Sequence, residues 1–333
     1  MIVLYPLLFE PVYKSVLWGG KRILALKGVE QSSNNMAVGE SWELCDLDND
    51  VSVVCNGAWQ GRSLRSLMEF CPEQLIGRAS TNRYGNRFPL LIKLIDALQP
   101  LSIQVHPRGD SPLVPQCGKN EMWYIVEAAP DAHICLGFRE PINRELYASI
   151  VGSPRITDYL NYIPVKSGDV FHIPAGTVHA IGAGCLIAEI QQPSDITYRI
   201  YDYDRLDQCG RKRSLHLNEA LQTTRLDTVA LSSMPYTLQC NRPVSLVQDP
   251  FFEVSLLHLN AVTEFDTEQL VGEDRCAVLQ CVAGAVTLTD AWANSVLLQQ
   301  GCTALLPART AYPVLFAPQQ GGECTLLVST PAL

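Results

Sequence analysis

One strand–turn–strand pattern occurs twice in this chain. Gly168-Asp169-Val170-Phe171-His172-Ile173-Pro174-Ala175-Gly176-Thr177-Val178-His179 aligns without gaps on Gly301–Tyr312. Glycine, proline, alanine and threonine coincide, and apolar positions fall on apolar positions. Tyr312 stands where the first copy has His179. A repeat of this kind implies two similar units, each supplying one edge of a buried core. Gly-Asp and Pro-Ala-Gly are turn formers flanking short extended runs. The second copy lacks the histidine, so any chemistry at that position belongs to the first.

The rest of the chain has the same grain. Leu4–Tyr13, Gly39–Leu44, Val51–Cys55, His133–Phe138, Leu186–Gln191 and Ile196–Tyr201 are short and strand-like, separated by turn residues. Phe88–Asp96 is a near-continuous apolar run, the pattern of a buried strand, and it contains Lys93, a residue costly to bury without a partner. Helical spacing is confined to Ser63–Phe70 (with Ser63 as N-cap), Pro72–Ile76, Asn143–Ile150, Ile156–Tyr162 and Leu215–Thr223. Many short strands and few helices predict a mainly β fold of two jelly-roll units with small helical insertions. The boundary falls near Pro235, giving a catalytic domain over 1–235 and a degenerate β domain over 236–333.

Within the first unit, Pro100-Leu-Ser-Ile-Gln-Val-His-Pro107 alternates. On a strand, residues two apart leave on the same face, so Ser102, Gln104 and His106 share one wall while Leu101, Ile103 and Val105 face the other way. A polar loop follows, and Glu121 opens a second strand-like run. His179 follows a Gly-Thr turn. Gln104, His106, Glu121 and His179 together offer two imidazoles, a carboxylate and an amide oxygen. That donor set suits zinc and would tolerate iron, manganese, cobalt or nickel. A lone histidine is more often a core residue; the spacing of all four together favours a metal. His172, flanked by Phe171 and Ile173, ranks below His179 as a ligand. His133, His216 and His258 have no such context.

Lys93, Lys119 and Arg199 lie in or beside these strands, a cationic set suited to an anionic, oxygen-rich substrate such as a sugar phosphate. The bland alternative for Arg199 is an ion pair with Asp202 or Asp204. The formal charge of −9 argues against nucleic-acid or anionic-membrane partners. Twelve cysteines without a Cys-x-x-Cys pair read as buried free thiols of a reducing cytoplasm rather than a disulfide framework. The apolar start, Met1–Phe9, lacks a basic region and meets Glu10 at once, a poor signal peptide.

These same residues carry a family resemblance. Trp18-Gly19-Gly20, Gly39-Glu40-Ser41-Trp42-Glu43, Gln99–Pro107, Gly118-Lys-Asn-Glu-Met-Trp-Tyr124 and Ile173–Ala180 resemble, in order, the motifs of the type I mannose-6-phosphate isomerases, cupin-fold zinc enzymes, in their short bacterial form. The resemblance implies one zinc on Gln104, His106, Glu121 and His179. It implies catalytic roles for Arg199, Lys119 and Glu189, and substrate contacts for Trp18, Lys93 and Ser102. The implied reaction interconverts mannose 6-phosphate and fructose 6-phosphate through an enediol, in a cytoplasmic monomer or homodimer. A cupin isomerase for another sugar, or a non-catalytic sugar-sensing module, is the alternative. The last third, from about Pro235, resembles the family least.

Overall fold

The computed structural model describes residues 4–29, 37–109, 118–207, 209–227, 232–310, 312–319 and 322–333. Met1–Val3 and most of the polar loop after His106 lie outside the described residues. Four antiparallel sheets stack in two facing pairs. The first pair joins a six-stranded sheet, in the order Val170–Ile173, Glu121–Ala128, Cys185–Gln191, Leu91–Asp96, Glu40–Leu44, Val12–Lys14, to a five-stranded one. The latter runs Tyr198–Tyr201, Ile103–Val105, His179–Ile181, His133–Phe138, Leu160–Pro164. The second pair joins a seven-stranded sheet built around Phe252–Leu259, Cys324–Pro331, Ala277–Ala283 and Thr303–Leu306 to a four-stranded sheet. These are two jelly-roll units, the mainly β architecture expected.

The sheets are held by apolar clusters between them, and strand composition follows from these. Ile92, Leu94, Met122, Tyr124, Ala188 and Ile190 pack against Val254, Leu256, Val278, Leu305 and Leu327 of the second unit. Ile95, Trp123, Ile125 and Ile187 face the opposite way, into the first unit. The six-stranded sheet is therefore covered on both faces, which is why all six residues of Leu91–Asp96 are buried and the strand reads as a continuous run. The chain's first strand, Leu7–Glu10, pairs with Thr303–Leu306, so the sheet of the last third includes a strand from the N-terminus.

The two copies of the repeated pattern share one pairing register. Val170 pairs with Tyr124 and Ile173 with Glu121; Thr303 pairs with Gln280 and Leu306 with Ala277. Gly168 N–H donates to Ile125 O at 2.9 Å, as Gly301 N–H does to Cys281 O at 2.8 Å. Both glycines have positive φ, 89° and 79°, the conformation glycine adopts without strain. Through this register Ala277 stands at the position of Glu121, and Val328 at that of Glu189. Both Ala277 and Val328 belong to an apolar cluster filling the second unit.

Helices are small. Ser63 caps Leu64–Phe70 by accepting Ser66 N–H, and Asn143 caps Arg144–Ile150 through Leu146 N–H. The helix expected over 156–162 is instead a 3₁₀ turn, Pro154–Tyr159, followed by the strand Leu160–Pro164. Pairing with His133–Phe138 outweighs the local helical spacing there. The helix Arg78–Tyr84 has too few apolar residues to show a period and was not expected.

Candidate metal centre and cavity

Glu121 begins a strand of the six-stranded sheet, and the opposing five-stranded sheet supplies Gln104, His106 and His179. Gln104 and His179 are direct register partners on neighbouring strands. His106 follows the end of the Ile103–Val105 strand and keeps its alternation. One potential donor atom from each of His106, Glu121 and His179 lies within 4.8 Å of the others, and all three residues are buried. His106 Nε2 is 3.1 Å from Glu121 Oε1, and His179 Nε2 is 3.7 Å from Oε2.

The other ring nitrogens are already committed. His106 Nδ1–H donates to Ile196 O at 2.9 Å, and His179 Nδ1–H to Thr177 O at 2.9 Å. Each carbonyl can only accept, so each ring is fixed with an Nε2 lone pair turned inwards. Burial, joined at His106 by the Lys119 cation, lowers both imidazoles below their ordinary value, His106 to about 3. Burial opposes ionisation of Glu121, but Lys119, His106 and His179 outweigh it and hold the carboxyl well below its usual range. Lys119 Nζ lies 2.9 Å from Glu121 Oε1, yet neither carboxylate oxygen accepts an aligned hydrogen bond. Two inward lone pairs facing a buried, unsatisfied carboxylate form a donor set for a divalent cation. Gln104 directs Nε2 toward His179 Nε2 at 3.2 Å; turning the amide over presents its oxygen instead.

A cavity of about 230 Å³ opens beside this cluster. Trp18, Ser102, Gln104, Lys119, Glu189 and Arg199 line it, so six of the residues singled out in the sequence meet there. Trp18 fits because a Cβ on Gly39 would come within 2.8 Å of its ring. Leu101, expected to face away with Ile103 and Val105, lines the cavity too; it precedes the strand and escapes its alternation. Lys93 is not among the lining residues. It sits 3.5 Å from both Glu40 and Glu189, whose charges outweigh its burial and raise its pKa. Glu189 accepts the Trp123 indole N–H at 2.9 Å, and burial followed by the Glu121 charge pushes its carboxyl up to about 7.

Arg199 does not take the ion pair considered for it. Asp202 is occupied by Arg205 and Arg213. Arg199 donates Nη1–H to Ser214 O at 2.9 Å, and its buried Nε has no partner. His172 points elsewhere, to Asp249 at 2.8 Å.

The sequence reading missed Glu40, Thr197 and Arg213 as lining residues. Glu40 had a signal: it lies two residues from Trp42, whose indole N–H it accepts. Arg213 had none, since it stands in a polar, glycine-containing stretch of sequence with no strand or helix pattern. Eleven free cysteines are present among the described residues, most of them buried, with Cys209 and Cys240 exposed. No helix among the described residues is long and apolar enough to cross a membrane.

Known proteins resemble this chain over most of its length. Residues 7–127 match the model of the phosphomannose isomerase type I catalytic domain. Mannose-6-phosphate isomerase ManA of Bacillus subtilis is 39% identical over 67% of this chain and 69% of its own length. The crystal structure of the mannose 6-phosphate isomerase from Bacillus subtilis superposes with a TM-score of 0.84 at 30% identity, covering 98% of this chain and 99% of that one. A zinc-bound mannose 6-phosphate isomerase shares the fold, with a TM-score of 0.77 at 19% identity over 99% of this chain and 100% of that one.

Proposed function

This chain belongs to the type I mannose-6-phosphate isomerases, and from that premise we propose how its residues interconvert mannose 6-phosphate and fructose 6-phosphate. The observation that carries the proposal is the buried His106–Glu121–His179 cluster, with both Nδ1–H groups held by carbonyls and the carboxylate left unsatisfied. His106, Glu121 and His179, with the Gln104 oxygen once its amide is turned, would hold a zinc ion, which would supply Lewis acidity to the reaction.

Aldose-to-ketose conversion moves one proton from C2 to C1 and another from O2 to O1. Glu189 is the carbon base: buried beside the cavity and pushed up to about 7, it accepts the C2 proton and returns it to C1 of the enediol. Lys119 lies at the inner end of the cavity, beside Glu121 and His106, and passes the proton between the two oxygens. Arg199 lines the cavity, and its guanidinium donates to the oxygen on which negative charge develops. Ser102 and Trp18 contact the sugar, and Arg213 adds a second cation at the cavity wall for the phosphate. Lys93 acts on Glu189 rather than on substrate.

The 236–333 segment is the main part of a second unit without chemistry. Ala277 and Val328 replace the two carboxylates there, and an apolar core replaces the cavity. The test is a coupled assay with mannose 6-phosphate and with fructose 6-phosphate, before and after chelation. Activity in both directions that is lost on chelation and regained with zinc is expected. Turnover that survives complete metal removal would overturn the proposal.

A further inference from the structure

Between Lys119 and Glu121 lies Asn120, and every polar group it has is engaged. Its N–H donates to Gln192 Oε1 at 2.9 Å and its carbonyl accepts Gln192 N–H at 3.2 Å. Its side-chain oxygen accepts Ala175 N–H at 2.8 Å, and its amide nitrogen donates to Asp249 Oδ2 at 2.7 Å. Ala175 belongs to the Pro174–Thr177 turn that delivers His179. Gly176 N–H in the same turn donates to His106 O at 3.0 Å. The Asn120 side chain thus ties the start of the Glu121 strand to the turn that delivers His179 and is bonded to the His106 backbone.

That tie depends on which way the amide is turned. Rotated by half a turn, Asn120 would set N–H against the N–H of Ala175 and oxygen against a carboxylate. Asp249 selects the working orientation, because an ionised carboxylate only accepts. Its own placement is fixed: Oδ1 accepts Phe251 N–H at 2.9 Å, Oδ2 faces His172 Nε2 at 2.8 Å, and the side chain is fully buried. Asp249 lies in the connection between Pro243–Gln248 and Phe252–Leu259, two strands of the seven-stranded sheet.

We infer that Asp249 is a positioning residue: acting through Asn120, the second unit sets the separation of Glu121 from His179 and so the affinity of the metal centre. The inference rests on the metal-site reading above. It gives the last third a part in the chemistry although its own site is gone. Charge-assisted bonds of this length are the strong ones, and outer partners of metal ligands commonly change affinity by about tenfold or more when removed.

The test measures zinc affinity of the full chain by competition with a chromophoric chelator, with kcat and KM in parallel and circular dichroism as a fold check. Asp249→Ala and Asn120→Asp are each expected to weaken zinc binding about tenfold and to lower kcat at limiting zinc, with KM unchanged. The exchange Asn120→Asp with Asp249→Asn restores the pair in reverse. The amide at 249 then donates one hydrogen to the carboxylate at 120, which still accepts Ala175 N–H, and the other to His172 Nε2, which accepts it as the Nδ1–H tautomer. This double variant should recover most of the affinity lost by Asn120→Asp, a rescue that simple destabilisation does not produce. Wild-type affinity in a folded Asp249→Ala protein, or no rescue in the exchanged pair, overturns the inference. If Asp249→Ala does not fold, the exchanged pair alone decides. A wild-type chain that binds no zinc refutes the metal-site reading instead.

Discussion

Trp123 and Glu189 face each other across two paired strands, with the indole N–H donating to the carboxylate at 2.9 Å. Lys93 flanks Glu189 on its other side, from the register partner in Leu91–Asp96. Glu189 is thus oriented by one neighbour and electrostatically balanced by the other, and burial followed by the Glu121 charge pushes its carboxyl up to about 7, which supports the proposed role of carbon base. Replacing Glu189 with Gln keeps shape and the bond to Trp123 while removing the base. Turnover in both directions should fall roughly 100- to 10,000-fold, with metal content unchanged. Steady-state assays with metal analysis on the same preparation check this; near-normal kcat would remove Glu189 from the proton path.

Arg199 should behave differently from the ligands. Arg199→Ala is expected to leave metal bound and lower kcat by roughly 100- to 1,000-fold, the scale of a lost oxyanion donor. Arg199→Lys should recover little, because a lysine ammonium cannot hold Ser214 O and the substrate with one planar fork. Near-normal turnover of the alanine variant would place Arg199 outside the mechanism.

Lys93 is a question of stability as much as of activity. It neutralises Glu40 and Glu189, all three being largely buried. Lys93→Met leaves two largely buried carboxylates facing each other's field without the cation between them, a loss of about 3 kcal/mol by analogy with other broken buried pairs. The urea midpoint of the metal-free protein measures it. Adding Glu189→Gln should return part of that loss, since the two sites share one interaction. Additive effects would show that Lys93 and Glu189 do not interact.

The buried cluster of His106, Glu121 and His179, with Gln104 beside it, was legible in the sequence because two physical signals converge on it. Alternation placed Gln104 beside His106, and turn residues delivered His179 onto a strand. The covered sheet was legible too, since Leu91–Asp96 is apolar at nearly every position. What could not be read depends on contacts between distant segments. Arg213 is held at the cavity by Asp202, which stands just after the Tyr198–Tyr201 strand. Asp249 reaches Asn120 only because the two units stack. The strand Leu160–Pro164 exists because His133–Phe138 lies beside it. Local spacing carries none of this, and Leu101 shows the converse: alternation misplaces a residue that stands just before its strand.

The central claim is that Gln104, His106, Glu121 and His179 grip one zinc ion on which isomerase activity depends. Its most direct test is zinc content per chain by ICP-MS, in wild type and in His179→Ala, after dialysis against a weak chelator. Wild-type protein should hold close to one zinc, and the folded variant should lose most of it together with mannose 6-phosphate turnover. Zinc retained at the wild-type level in His179→Ala would contradict it.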